Sequence, residues 1–217
     1  MPADWILAIE TSVTEASLAL FGNDELVAEE AFTSERSQEC DLFAPLGRIL
    51  AKVPKQEGLQ AVVVGTGPGS YNGARVGIAA AQAIAQTHHC GVAGLCSFEG
   101  VDLVHQNPQS RAVGDARRGS WFIIEILDGR IASDPQLLNQ SEFLDEVSGS
   151  TSPLITFESP DRLPGEVPAK EVTSSAATLI QSWLSRSIEE QEKLLKVPPE
   201  AFYLRPPHIT KSKKKLH

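Results

Sequence analysis

GTGPGSYNGARVG, residues 65–77, joins two kinds of sequence. Ahead of it, Ala61-Val62-Val63-Val64 is apolar and β-branched, as a strand requires. Behind it an alanine-rich helical run begins. A strand, a glycine-rich turn and a helix N-terminus in that order bring backbone N–H groups together. Such a junction either holds an anion or lets two backbones pass unusually close.

The phosphate motifs can be tested residue by residue. A Walker A loop needs Lys and then Ser or Thr after its last glycine, whereas Gly73 is followed by Ala74-Arg75. A dinucleotide fingerprint begun at Gly65 has Ser70 where its third glycine should stand, and no acidic residue lies about 20 positions on to hold a ribose. Both motifs fail. The helix carries a different message, because Gly73, Gly77, Ala81 and Ala85 recur at every fourth residue and leave one face nearly bare. Glycine inside a helix costs about 1 kcal/mol relative to alanine, which makes sense where another element must approach closely. That element is either the parent sheet or a partner.

Outward from this stretch, residues 5–11, 15–21 and 26–32 read as an antiparallel meander, with Gly22-Asn23-Asp24 as a turn. A helix over 37–51 follows, with Leu42, Leu46, Ile49 and Val53 on one stripe and Phe43 and Leu50 on a neighbouring one. Pro45 must sit near its first turn or kink it. The strand 60–64, the helix 70–87, the strand 92–95 and a helix over 97–106 complete the order βββαβαβα. After a loop at 107–110 the pattern restarts. Strands are expected at 111–115 and 121–127, with a tight turn at Asp128-Gly129. A short helix capped by Ser141, a strand at 153–157 and a helix over 174–187 follow. The expected division is an N-terminal lobe over 1–107, a smaller, less regular C-terminal lobe over 108–205, and a disordered basic tail over 206–217.

Composition narrows the function. The chain has 217 residues, 41% hydrophobic and 22% charged, within ordinary globular usage. No apolar run approaches the roughly 20 residues of a membrane helix, and the N-terminus lacks the basic start of a signal peptide. Cys40, Cys90 and Cys96 are an odd number without CxxC spacing, which suits reduced, buried residues and a cytoplasmic location. Net charge is −9, with Lys211, Lys213, Lys214 and Lys215 gathered in the tail. The body is therefore more acidic still, and a poor surface for gripping nucleic acid broadly.

At this point the residues resemble a known family. ILAIETS at the N-terminus, GTGPGSYNGARVGIAAAQAIA with GLCSFEG after it, DARRGSWF at 115–122 and FYLRP at 202–206 occur in the order of the TsaB (YeaZ) family. The resemblance spans nearly the whole chain, and its central block is the specific part. It implies an α/β fold of the actin, sugar kinase and Hsp70 type (ribonuclease H-like), with two lobes each built on a mixed sheet flanked by helices. It implies a non-catalytic role beside TsaD in making threonylcarbamoyladenosine on tRNAs that read codons starting with A, with TsaE as the associated ATPase. No metal and no cofactor of its own are expected; ATP or ADP is left open at the junction with TsaD. Contact with tRNA would be indirect, through the complex, and no membrane partner is expected. The chain departs from the family at Glu10, where Asp is usual, at Ser120, where many relatives are acidic, and near Arg36-Ser37, where relatives often carry His.

Independent chemistry finds little support in the residues. TsaD-like enzymes hold metal with two His four apart on one helix; His88, His89, His105, His208 and His217 include no such pair. Ser70 lacks the G-x-S-x-G setting of a nucleophile elbow and reads as a helix cap. Asp115 with Arg117 and Arg118 reads as a charged turn. Arg75, near a helix N-terminus where the dipole disfavours a cation, is expected to pair with a carboxylate such as Glu10.

The favoured expectation is an accessory scaffold. Leu42, Phe43, Leu46, Leu50, Gly73, Ala74, Gly77 and Ala81 would form the partner interface, closing on a second copy as a homodimer when TsaD is absent. Gly77→Leu or Ala81→Arg would then break association and leave the chain folded. Glu10, Thr11, Ser12, Gly67, Gly69, Ser70 and Arg75 would form a vestigial nucleotide loop. The alternative is a stand-alone ATP-using or metallopeptidase-like enzyme of the same superfamily.

Overall fold

The computed structural model describes residues 4–33 and 42–205. The first part of the expected helix over 37–51, the position near Arg36-Ser37, Cys40, His208, His217 and the basic tail lie outside the described residues.

In chain order the elements are β1 (Trp5–Glu10), β2 (Glu15–Gly22), β3 (Glu25–Thr33), α1 (Phe43–Leu50), β4 (Leu59–Gly65), α2 (Tyr71–His88) and β5 (Gly91–Leu95). A 3₁₀ turn (Ser97–Gly100) and α3 (Asp102–His105) lead to β6 (Gln109–Asp115), β7 (Trp121–Leu127), β8 (Arg130–Ile131) and β9 (Gln136–Leu138). Then come α4 (Gln140–Ser148), β10 (Leu154–Thr156), β11 (Ala169–Glu171), α5 (Ala176–Leu184) and α6 (Ile188–Leu195). Two mixed sheets result, as expected, with strand orders β3-β2-β1-β4-β5 and β11-β10-β6-β7-β8; β9 pairs with β7.

Strand β1 shows why the first sheet needs cover on both sides. All six of its residues are buried, and alternate side chains enter different cores. Trp5, Leu7 and Ile9 pack with Leu46 and Ile49 of α1 and with Ile78, Ala81 and Ile84 of α2. Ile6 and Ala8 pack with Leu179, Ile180 and Trp183 of α5. The chain therefore returns to the first sheet after building the second. The expected lobe over 108–205 needs correction here, because α5 and α6 (Leu194, Leu195) cover the far face of the first sheet. The apolar stripe of α5 can be buried only where a sheet face is still open, and the first sheet offers one.

Other expectations shift for local reasons. The helix expected over 97–106 breaks at Val101, whose backbone is extended (φ −101°, ψ 120°). Helix α4 is capped by Asn139, not Ser141, through a reciprocal box with Glu142. Helix α6, absent from the sequence expectation, is opened by the same kind of box between Ser187 and Glu190. Pro45 lies in the first turn of α1, where its missing N–H costs nothing.

Candidate functional site

The carboxyl ends of β1 and β4 meet the glycine turn, and the turn is closed by its own side chains. Ser70 caps α2, its hydroxyl accepting from Gly73 N at 3.2 Å. Ser70 N donates to Ser12 O at 2.6 Å, and Gly67 N donates to Ser97 Oγ at 2.9 Å. Ser97 N returns a bond to Gly67 O at 2.8 Å. The Gly67, Ser70 and Gly73 amides, which an anion cradle could present, are thus spent within the chain.

Glu10 is fully buried and turned into this network. Its Oε1 accepts from Ser12 N (2.7 Å) and Ser12 Oγ (2.8 Å), and its Oε2 accepts from Ser174 Oγ (2.9 Å). Ser12 Oγ also meets Ser97 Oγ at 2.7 Å. A Cβ on Gly65 would stand 2.1 Å from Glu10 Oε2, so the glycine exists to admit the carboxylate. The longer Glu side chain serves the floor of the site.

The small stripe of α2 is explained in the same way. A Cβ at Gly73 would lie 1.9 Å from Thr11 O, and one at Gly77 would lie 2.3 Å from Thr11 Oγ1. Thr11 Oγ1 donates to Gly73 O at 2.7 Å, and Ala74 and Ala81 are buried. The stripe seats α2 on its own sheet, so Gly73, Ala74, Gly77 and Ala81 are corrected from partner face to packing face. Leu42 and Leu46 are buried and Leu50 packs on the same core; of the α1 residues expected at the interface, Phe43 alone stands exposed. Arg75 is corrected too. It forms no salt bridge with the described residues and lies over the Tyr71 ring, 5.3 Å from the centroid. Glu10 has enough donors without it.

Between the two sheets lies an open cleft of about 1190 Å³. Its first-sheet side is the glycine turn; its opposite wall is the β6–β7 hairpin and the segment after β10. In the hairpin Asp115 Oδ1 accepts from Arg117 N (2.6 Å) and Oδ2 pairs with the Arg117 guanidinium (3.0 Å). Arg117, Arg118 and Gly119 all have left-handed backbones (φ 65°, 57° and 70°). This is a charged turn, as expected for Asp115, Arg117 and Arg118. Beside it Glu158 is half-buried, and its Oε2 has no hydrogen-bond partner. Burial raises the Glu158 carboxyl above its ordinary value; nearby Arg117 works against this and Asp115 adds to it.

The third side of the cleft escaped the sequence reading. Residues 199–205 run across the glycine turn after α6, with Phe202 N donating to Thr66 O at 2.8 Å. FYLRP was visible as a motif, but nothing in its spacing told which surface it would cover. Ser97 and Ser174 were likewise missed, being single hydroxyls far apart in sequence.

Among the described residues no group of three His, Cys, Asp or Glu could hold a metal. His88 Nδ1 accepts from Leu59 N (3.3 Å) and His105 bonds the Glu99 carbonyl (2.8 Å), each in its own surroundings. Cys90 and Cys96 are free thiols whose pKa values burial pushes up. No helix among the described residues is long and apolar enough to cross a membrane.

The family model of TsaD, tRNA N6-adenosine threonylcarbamoyltransferase, matches residues 47–148, which hold the glycine turn and the hairpin. An uncharacterized protein of Mycobacterium leprae (strain TN) is 33% identical over 135 residues, 58% of this chain and 37% of that protein. The match thus spans little more than a third of that relative's length. Among solved structures, an uncharacterized Pseudomonas aeruginosa protein described as similar to the peptidase YeaZ has a TM-score of 0.64 at 19% identity, covering 82% of this chain and 89% of that one. YeaZ from Pseudomonas aeruginosa has a TM-score of 0.63 at 19% identity, covering 82% and 90%. The fold is like that of YeaZ. The TsaD model covers a little under half of this chain, and the likeness to the two Pseudomonas structures is one of fold.

Proposed function

We propose, with the likeness to the TsaB (YeaZ) and TsaD proteins as premise, that this chain is a non-catalytic accessory subunit that binds and supports TsaD in threonylcarbamoyladenosine formation on tRNA. The observation that carries this reading is the outer face of α1 and α2. Phe43 (59% exposed) and Val76 (50%) stand out from it, flanked by exposed Ala44, Gly47, Ala79 and Ala83. Large exposed apolar side chains set among small ones suit close approach of partner helices. The docking face is therefore the side of α2 opposite the small stripe. The floor of the cleft favours the same reading, because Glu10 is held by hydroxyls and presents no free carboxylate to a metal.

In this proposal TsaD supplies the chemistry and TsaE acts on the assembled complex. A nucleotide, ATP or ADP, binds only at the junction with TsaD, and tRNA meets this chain through the complex. The same face closes on a second copy when TsaD is absent, and the protein works in the cytoplasm. Calorimetric titration with TsaD tests the core of it: Val76→Glu should weaken binding, and unchanged affinity would count against this face. Titration with ATP and magnesium, alone and with TsaD, tests the rest; turnover by the chain alone would favour the stand-alone enzyme.

A further inference from the structure

The segment 199–205 touches both sheets, and each contact along it is of a different kind. Pro199 packs on β5, where a Cβ on Gly94 would come within 2.9 Å of Pro199 Cβ. Ala201 joins the core beneath α1 and α2. Phe202 bonds Thr66 through its backbone, while its ring and Leu204 pack into the core shared by Phe98, Phe122 and Ile155. Tyr203 meets Tyr71 of α2, ring centroids 5.6 Å apart. Arg205 ends the segment by donating to Ser120 Oγ on the β6–β7 hairpin.

We propose that residues 199–205 form a latch that holds the two sheets closed over the glycine turn, so that the chain itself gates the cleft. Three features distinguish a latch from a permanent core element. The segment has no helix or strand ladder, and its one backbone bond into the first sheet is Phe202 N to Thr66 O. Its aromatic contact is with Tyr71, which is half exposed, so that contact separates at little cost in buried area. Its anchors on the second sheet are Phe202 and Leu204, both only partly buried, and a single hydrogen bond from Arg205 to the Ser120 hydroxyl, with no carboxylate partner among the described residues. Segments with few buried contacts and isolated backbone bonds open at lower free energy than the sheets they cover. Opening would uncover Thr66 and Gly67, both buried at the cleft edge, and free Tyr71 at the start of α2. The latch stands whether or not the docking face proposed above is correct.

Hydrogen exchange on the full chain tests it. Phe202→Ala with Leu204→Ala should speed exchange of amides in 65–70 and in 115–120 by about tenfold, with β1 and β2 unchanged. Unchanged exchange at 65–70, or equal acceleration throughout β1 and β2, would overturn the latch. Should that variant not fold, Tyr203→Ala, which removes only an exposed contact, provides a second measurement. Exchange at 65–70 should quicken relative to the parent with β1 and β2 unchanged, and identical rates in the two proteins would overturn the latch.

Discussion

Glu10 and Glu158 stand near strand ends in the two sheets, on opposite sides of one cleft, and their surroundings treat them in opposite ways. Glu10 is fully buried, yet both its oxygens accept hydrogen bonds, three in all. Glu158 is only half-buried, yet one of its oxygens has no partner and its pKa is raised. Burial alone therefore does not decide how costly a carboxylate is; the supply of donors does. On the first-sheet side the polar groups of the floor are matched to one another and α2 is locked down over Thr11. Freedom to do anything else belongs to the opposite wall, the latch and the outer face of α2.

The largest effect should come from breaking the locked side. Ala81 is fully buried on the sheet-facing side of α2, so Ala81→Arg puts an unpaired cation in the core and should cost about 3–5 kcal/mol in urea unfolding. Gly77→Leu should also prevent normal folding, because even a Cβ there meets Thr11 Oγ1 at 2.3 Å. A stable, folded Ala81→Arg protein that merely lost its partner would restore the small stripe as an interface. Next in size is Glu10→Gln. The amide would aim an N–H₂ at groups that themselves donate, and should lower stability by about 1–3 kcal/mol. An unchanged unfolding midpoint would mean that the serines can turn to accept, and the contrast with Glu158 would weaken.

The outer face of α2 should behave in the opposite manner. Val76→Glu and Ala83→Arg change exposed positions and should leave stability within about 0.5 kcal/mol. TsaD binding should fall by tenfold or more, about 1.4 kcal/mol, by calorimetry. Loss of stability in these variants would erase the distinction between the two sides of the helix.

Much of this was legible in the sequence. Glycine before and within α2 announced close approach, and the failed phosphate motifs argued against an anion there. Which surface came close was not legible, since the Gly73-Gly77-Ala81 spacing is the same for a sheet beneath as for a helix outside. Thr11 O settles it in space. The strand β1 also carried a clue that periodicity alone conceals: a run buried at every residue needs a second cover, and α5 (Ala176–Leu184) supplies it from the far end of the described chain. Ser12, Ser97 and Ser174 meet around Glu10 only because three distant loops converge, and no local pattern marks such hydroxyls.

The smallest effect should come from Glu158, and its sign is informative. A carboxyl whose pKa is raised by folding holds its proton more tightly in the folded state. Its contribution is fully present below the ordinary value of 4.5, where folded and unfolded chains are both protonated, and is lost as pH rises through the folded value. At neutral pH the ionised group is a small liability. Glu158→Gln should therefore raise stability at pH 7, by less than about 1 kcal/mol because solvent screens a half-exposed group, and the gain should vanish below about pH 4.5. Melting temperatures of parent and variant across pH 4–8 would check this. A variant less stable at pH 7 would mean that Arg117 outweighs burial, and that Glu158 is as well supplied by its neighbours as Glu10.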